Sequence, residues 1–390
     1  MGKVGTEATL LRVLDAISDG NAYLKYLAED RMFDVKDLRQ MKLISDAGLA
    51  KDYFSIGDQI TIDYTATDGT KYDMPWDIVH IGDAVLSDGT TKHNAIYLQS
   101  HFATVEGVQY DHQENEKATE ETAQEGMYYY IPNPNGDGSF QLLNINTGDT
   151  IDYTANPTVY HSAIKDTTGN IVRYGYNRET HAAMPQWLNS TAEKGKWWTA
   201  KHKGDVAPDQ LNSVRGFMAG LPEDFVGYME TLKITRALNT ITEPDKNIAS
   251  DSYDAKIFLP SIEQMYIKPQ AAAGLEGEAW DYYKQLAVGA GLSGPFQWWQ
   301  TYPILVSYAL NSQSAAQYVR LSSAYRDYSY GAWYVNASGS VFGSGANIAL
   351  RCRPDCIFLL QNASGVTRGA GVQHSREPNS WPLVRRTTQP

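Results

Sequence analysis

Residues 317–359 constrain the fold more than any other part of the chain. Within residues 333–336 and 338–342, side chains of structural character alternate with chemically mixed ones. A period of two predicts β-strands with one buried face and one open face. The positions of structural character, the scaffold positions, are Val319, Leu321, Ala332, Trp333, Val335, Gly339, Val341, Ala346, Arg353 and Pro354.

The other positions in this stretch, called the mixed positions below, are predicted to bind a ligand. They combine tyrosine with small polar residues, which is the composition of a binding paratope. A solvated sheet face on which tyrosine serves β propensity is the alternative that composition leaves open. The mixed positions are Tyr325, Asp327, Tyr328, Tyr330, Tyr334, Asn336, Phe342, Ser344, Asn347, Ile348 and Leu350.

The composition of the whole chain is that of a globular protein with an adhesive surface. The 390 residues are 42% hydrophobic and 20% charged, which excludes a disordered chain. The 26 Tyr and 9 Trp outnumber the 10 Phe, so most aromatic residues carry a polar group. Such residues suit surfaces that are both wet and adhesive.

The charge is unevenly distributed. The net charge of −12 argues against general nucleic-acid binding. Residues 311–390 nevertheless hold eight Arg, no Lys and three acidic residues, which gives this end +5. A basic recognition end on an acidic body suits an anionic cell-surface target. Structural arginines followed by a basic tail are the alternative.

The chain offers little sign of catalytic or metal chemistry. Cys352 and Cys356 do not make a disulfide framework, and a fully extended strand would place them about 13 Å apart. We interpret them as small core residues and predict no catalytic residue, metal or cofactor. No signal-peptide pattern and no apolar run of membrane-spanning length is found, so we predict synthesis in the bacterial cytoplasm without membrane insertion.

The first fifty residues read as helical. Residues 6–28 and 35–46 repeat apolar side chains at helical spacing, and Gly48 marks the end of the second helix. One interpretation is a helical cap on the main domain. We favour an oligomerising or docking segment over residues 1–50.

From Tyr53 onward the pattern becomes that of β-hairpins. The turns Asp68-Gly69 and Asp88-Gly89 separate alternating runs at residues 59–64, 72–81 and 95–100. Residues 127–131 and 140–143 form another predicted hairpin. The sequence therefore predicts an α+β fold in which most of the sheet is antiparallel.

A family resemblance refines this expectation. The runs V-R-L-S-S-A (319–324), A-W-Y-V (332–335) and R-P-D-C-I-F (353–358) resemble the C-terminal core of the C-type-lectin-like fold. Upstream, N-R (177–178), W-L-N-S (187–190) and W-W (197–198) resemble further landmarks, in the same order. The set is similar to the variable proteins of diversity-generating retroelements, such as phage tropism determinants. Formylglycine-generating enzymes share this fold.

The resemblance implies a domain plan and a function. It implies a C-type-lectin-like domain with β-hairpin insertions over residues 51–360, a variable region over 317–359, and a tail over 361–390. W-L-N is expected in a helix beneath the sheet. The implied function is non-enzymatic host attachment by a bacteriophage or prophage receptor-binding protein, such as a tail fibre or adhesin.

The same resemblance suggests binding partners and two alternative functions. The partners would be a host cell-surface protein or glycan, other virion proteins through the N-terminal segment, and two further copies in a homotrimer on the virion surface. The alternatives are an oxidase of the formylglycine-generating type and a structural virion decoration protein without a receptor.

Overall fold

The computed structural model describes most of the chain between residues 38 and 358. The described residues are 38–113, 128–132, 140–144, 150–153, 164–165, 171–172, 176–201, 205–239, 250–268, 274–326 and 330–358. The predicted helix over residues 6–28, the mixed positions Asp327 and Tyr328, and the tail over 361–390 lie outside them.

Short helices and many strands make up the described chain. The α-helices are α1 (Leu38–Asp46), α2 (Ala50–Tyr53), α3 (Ala183–Leu188), α4 (Glu223–Tyr228) and α5 (Asp281–Gly289), with 3-10 turns at Phe217–Gly220 and Pro303–Leu305. The strands before residue 200 are β1 (Gln59–Thr65), β2 (Lys71–Val85), β3 (Thr91–Ser100), β4 (Val108–Gln109), β5 (Tyr128–Pro132), β6 (Phe140–Asn144), β7 (Thr150–Tyr153), β8 (Ile164–Lys165) and β9 (Ile171–Val172). The later strands are β10 (Leu232–Ala237), β11 (Ser250–Ala255), β12 (Ile257–Phe258), β13 (Ser307–Ala309), β14 (Ser312–Gln317), β15 (Val319–Ala324), β16 (Gly331–Val335), β17 (Val341–Gly345), β18 (Ala349–Cys352) and β19 (Asp355–Phe358).

The predicted hairpins form where the turn residues placed them. Tyr64 pairs with Tyr72 across the first Asp-Gly turn, and Ala84 pairs with Lys92 across the second. The hairpin of β5 and β6 is also present, with β7 added beside β6. The α+β class predicted from the sequence is therefore confirmed, with mostly antiparallel sheets and few helices.

The first of two five-stranded sheets contains both early and late strands. Its order is β1-β2-β3-β19-β12, so the last described strand lies between β3 and β12. Cys356 of β19 pairs with Leu98 on one side and with Ile257 on the other. The C-terminal strand is thus an interior strand of a sheet that begins near residue 59.

The second five-stranded sheet carries the stretch singled out by the sequence. Its order is β17-β16-β15-β18-β4. β15 pairs antiparallel with β16 and parallel with β18, and it is the central strand. All six of its residues are buried, although the sequence V-R-L-S-S-A is half polar.

Two hydrophobic clusters form the core. The first includes Trp76, Trp187 and Phe225, and the second includes Trp280 and Trp333. Trp187 lies on α3, as predicted for the W-L-N run, and its indole Nε1 donates to the carbonyl oxygen of Arg215 at 2.8 Å. Trp333 is 1% exposed.

Helix α1 lies against the first core. Met41 and Ile44 are buried in it, and Lys42 forms a 3.2 Å ion pair with Glu230. The predicted stop at Gly48 is confirmed, because Gly48 has φ +73° and its N–H donates to the carbonyl of Ser45. This part of the segment therefore caps the main core, the alternative left open above, and a docking role for residues 1–50 stays a prediction.

A buried network of charged side chains forms hydrogen bonds with two serines of β15. Arg236 Nε lies 3.0 Å from Glu179 Oε2 and donates to the hydroxyl of Ser322 at 2.6 Å. The hydroxyl of Ser323 donates to Glu276 Oε2 at 2.5 Å. The two serines of V-R-L-S-S-A are thus buried because each has a charged partner.

The two carboxyl groups of this network share one arginine. Burial raises the pKa of Glu179 to about 7, and Arg236 opposes this rise. Burial also raises the pKa of Glu276, again against Arg236. Between about pH 4.5 and pH 7, Glu179 of the folded protein therefore keeps a proton that the unfolded chain has released.

The first prediction concerns the second core. Replacing Trp333 with Ala should reduce the free energy of unfolding by about 3–5 kcal/mol, because a fully buried indole leaves a cavity. Trp299→Ala is the matched control, since Trp299 is 55% exposed, and it should change stability by less than about 1 kcal/mol. Denaturant unfolding of both variants measures this. Equal losses in the two would contradict the proposed core.

The second prediction concerns pH. Because the pKa of Glu179 is higher in the folded state than its ordinary 4.5, the folded state binds this proton more tightly. The stabilisation that comes from this proton is complete below about pH 4.5 and is lost as the pH rises through about 7. Glu179→Gln cannot ionise, so its stability relative to the native protein should rise by roughly 2–3 kcal/mol over that interval.

Thermal melting across this pH range tests the effect. Glu193→Gln is the control, because Glu193 is exposed, and it should leave the pH profile unchanged. A constant difference between Glu179→Gln and the native protein at every pH would show that Glu179 does not titrate as described.

Candidate functional site

The alternation predicted for β16 and β17 is present in the structure. Val335 and Val341 pair across the two strands and are 2% and 1% exposed. The adjacent pair, Tyr334 and Phe342, points to the opposite face, and Phe342 is 41% exposed. The two strands therefore bury one face and open the other at this end.

Each mixed position that the structure describes is half-buried or exposed. Phe342 and Ile348 are exposed. The half-buried ones are Tyr325, Tyr330, Tyr334, Asn336, Ser344, Asn347 and Leu350. Nine of the ten scaffold positions are buried, and the exception is Arg353, which is half-buried.

Three aromatic side chains form a ladder across the open face. The ring of Tyr334 lies 5.7 Å from that of Tyr318 and 6.4 Å from that of Phe342. Ring separations of this size are those of interacting aromatic pairs. Tyr318, which is 52% exposed, was not among the predicted residues. Extending the alternation back by one residue from the buried Val319 would have found it.

An aromatic cleft lies beside β17, at the edge of the second sheet. It has a volume of about 210 Å³ and is lined by Trp298, Tyr325, Tyr330, Gly331, Phe342, Gly343 and Ser344. Four of these are mixed positions. Trp298 is a further lining residue that the sequence pattern missed, because it comes from the segment before β13. Its proximity to Trp333, with ring centroids 5.6 Å apart, is a tertiary contact.

Tyr325 is held against the sheet from one side of the cleft. Its ring centroid lies 4.7 Å from that of Trp333. A Cβ atom on Gly343, the partner of Trp333 in β17, would lie 2.0 Å from Tyr325 Cδ2. Glycine is therefore needed at this position for the tyrosine ring to lie where it does.

Asn336 has a structural role in addition to its predicted one. Its side-chain Oδ1 accepts hydrogen bonds from the backbone N–H groups of Ser338 and Ser340, at 3.0 and 2.9 Å. These bonds build the turn between β16 and β17, in which Gly339 has φ +87°. Asn336 thus contributes to the turn more than to the aromatic surface.

The remaining mixed positions lie on β18 and in the connection that leads into it from β17. Leu350 is on β18 and pairs with Val108 of β4. Asn347 and Ile348 precede it, between β17 and β18. The structure therefore brings Tyr325, Tyr330, Tyr334, Phe342 and Ser344 together, and places Asn347, Ile348 and Leu350 in a separate group.

A buried arginine fixes the backbone of both groups. Arg320 is fully buried on β15, and its guanidinium donates to four carbonyl oxygens. Nη1 contacts those of Ala332 at 2.8 Å and Ser344 at 3.4 Å. Nη2 contacts those of Gly345 at 2.9 Å and Ile348 at 3.2 Å. No carboxylate among the described residues pairs with it.

The charge of Arg320 persists in this setting. Burial lowers its pKa to about 10, which still leaves the guanidinium protonated at neutral pH. The carbonyl dipoles of four residues therefore take the place of a counter-ion.

Two more buried side chains hold carbonyl oxygens in the same region. Gln109 Nε2 donates to the carbonyl oxygen of Asn347 at 2.8 Å. Asn177 Nδ2 donates to that of Gly331 at 2.7 Å and contacts that of Tyr325 at 3.4 Å. The carbonyl groups of Tyr325, Ser344, Asn347 and Ile348 are thus held by residues outside the mixed set.

The cysteines lie in the interior. Cys352 and Cys356 are fully buried and unbonded to each other, and burial raises the pKa of both thiols. Within the described part of the chain, no three His, Cys, Asp or Glu side chains are grouped so as to hold a metal ion. None of the helices in that part has the length and apolar character to cross a bilayer.

Comparisons of the chain with models of known protein families, with curated proteins and with solved structures found no match.

The third prediction tests the hydrogen bonds that Arg320 donates to four backbone carbonyl oxygens. Arg320→Lys should lower the free energy of unfolding by about 2–3 kcal/mol, because an ammonium group cannot contact all four carbonyl oxygens. Ile348→Ser is the matched control. It keeps the carbonyl that Arg320 contacts and removes an exposed side chain, so stability should change by less than about 0.5 kcal/mol. If Ile348→Ser proves as costly in denaturant unfolding, the side chains support the fold after all.

Proposed function

We propose that this protein is a non-enzymatic recognition protein that displays an exchangeable surface. In this proposal it is a phage or prophage receptor-binding protein or adhesin. The mixed positions contact the target, and the scaffold positions hold them.

The observation that carries the proposal is the way in which the mixed positions are held. Arg320, Gln109 and Asn177 are buried, and they donate hydrogen bonds to the backbone carbonyl oxygens of four mixed positions, Tyr325, Ser344, Asn347 and Ile348. A carbonyl group is the same in every residue, so the backbone geometry does not depend on which side chain is present. A surface built this way tolerates changes of side chain without changes of fold.

The finer fold assignment is also part of the proposal. The ordered landmarks from residue 177 to residue 358 resemble the C-type-lectin-like core. In the structure they contribute the helix of Trp187 and the central strand of the second sheet. These placements agree with a C-type-lectin-like domain, whose variable residues lie on one sheet and its loops.

The proposed target is a host cell-surface protein or glycan. Tyrosine supplies rigid contact area, and small polar side chains adapt to the target. A single surface of this kind binds weakly, and display in several copies raises affinity without new contacts. A homotrimer on the virion surface, attached through the N-terminal segment to other virion proteins, would provide such display.

The burial of the cysteines weighs against the oxidase alternative. The thiolate is the reactive form of cysteine and the form that binds metal. Burial raises the pKa of Cys352 and Cys356, which disfavours that form. Stoichiometric copper in purified protein, with thiol-dependent activity, would favour the oxidase over a binding protein.

The fourth prediction tests tolerance and binding together. Two display libraries are made, one randomised at Tyr325, Tyr330, Tyr334, Phe342 and Ser344, and one at Val319, Leu321, Trp333, Val335 and Val341. Most members of the first library should fold, and selection on an immobilised protein should yield specific binders. Few members of the second should fold, because these positions are 1–3% exposed.

Protease resistance of the displayed protein measures folding in both libraries. In a selected binder, truncating a central tyrosine to Ala should weaken binding by about 2 kcal/mol while the melting temperature is unchanged. Equal loss of folding in the two libraries would refute an exchangeable surface. A well-folded first library without binders would favour a decoration protein.

A further inference from the structure

The aromatic cleft has the size of a site for one side chain. Its volume of about 210 Å³ lies below the roughly 300–1,000 Å³ of pockets that hold drug-sized molecules. It opens at the edge strand β17, next to the aromatic ladder, and Phe342 belongs to both. A partner lying on the ladder would thus have the cleft within reach of a protruding group.

The lining is almost entirely apolar. Trp298, Tyr325, Tyr330 and Phe342 provide rings, and Gly331 and Gly343 have no side chain. The polar groups are one serine hydroxyl, two phenols and one indole N–H. Among the described residues, no carboxylate, amide or guanidinium side chain lines the cleft. A sugar ring can stack on aromatic faces, but its several hydroxyl groups would lose water here and find few hydrogen-bond partners, so the lining favours an apolar group.

The lining also offers no partner for a cationic group. None of the described lining residues is acidic. Aromatic rings alone attract cations, but burying an ammonium or guanidinium group is costly without a carboxylate partner. An uncharged apolar group therefore fits this lining best.

The cleft is formed in advance of binding. Trp298 and Tyr325 both pack on the buried Trp333, at 5.6 and 4.7 Å between ring centroids. Asn177 holds the carbonyl oxygen of Gly331 at 2.7 Å. A preformed pocket beside a contact surface suits an anchoring side chain, because binding there requires little reordering of the protein.

We infer that the cleft receives a single uncharged aromatic or aliphatic side chain from a protein partner. This inference rests on the proposed function and narrows its target class from protein or glycan to protein. Trp298 supplies a fixed wall, while Tyr325, Tyr330, Phe342 and Ser344 set which side chain fits.

The test uses small probes on the full chain. N-acetyl-phenylalaninamide and N-acetyl-leucinamide stand in for the apolar side chain, methyl glucoside for a sugar, and N-acetyl-lysinamide for a cation. Binding is followed through the indole N–H signal of Trp298 in a proton–nitrogen correlation spectrum, assigned with Trp298→Phe. We expect millimolar binding of one or both apolar amides and weaker binding of the glucoside and the lysine amide.

Two variants locate the site. Phe342→Ser removes an exposed wall of the cleft and should weaken binding of the apolar probe about tenfold or more. Tyr308→Ser removes an aromatic side chain that is equally exposed, at 41%, but does not line the cleft, so it should change binding by less than about twofold. Both residues are exposed, so the variants should fold, and melting curves check this.

Three results would overturn the inference. They are stronger binding of the glucoside or the lysine amide than of the apolar amides, no shift of the Trp298 signal with any probe, or equal effects of the two variants. The library experiment does not depend on these probes. Binders from the library together with failure of the probes would leave the exchangeable surface standing and remove only the cleft assignment.

Discussion

The second sheet depends on one buried cation that has no anion among the described residues. Arg320 is fully buried on the central strand, and four backbone carbonyl oxygens from three neighbouring segments converge on its guanidinium. Removing a charge from water is costly unless many hydrogen bonds replace the lost hydration, and the planar fork of arginine can make them. The guanidinium group of Arg320 thus connects β15 to the backbone of β16, of β17 and of the segment before β18. A lysine at this position would supply the charge without the fork.

The strand that carries Arg320 is itself held from the other side. Ser322 and Ser323 contact Arg236 and Glu276, which belong to a network of ionisable groups in the interior. Arg320 and the buried network together therefore anchor β15 on both sides. Of the mixed positions beside it, Asn336 builds a turn through its side chain, whereas Ser344, Asn347 and Ile348 are held through their carbonyl oxygens. In the proposed function, such positions contribute backbone atoms to stability and side chains to recognition.

Much of this architecture could be predicted from the sequence, because its causes are local. The Asp-Gly turns fix hairpins through glycine's access to positive φ, and the alternation around Trp333 fixes which face is buried. What the sequence could not give depends on residues far apart in the chain. Trp298 enters the cleft only because it packs on Trp333, and Asn336 builds a turn that its residue type alone does not distinguish from a binding role. Arg320 looks like a surface residue until its carbonyl partners are seen.

The position of β19 has a consequence for how the protein is made. Leu98 pairs with Cys356, so β3 emerges from the ribosome long before the strand that covers its edge. At roughly 5–20 residues per second, this interval lasts on the order of ten to fifty seconds. During it, the edge of β3 is an open template for pairing with another chain. A chain that stops early, within the stretch that carries the mixed positions, never receives its closing strand. Such a product is expected to be degraded. The order of the strands therefore selects against truncated chains, because only a chain translated as far as β19 can close the first sheet.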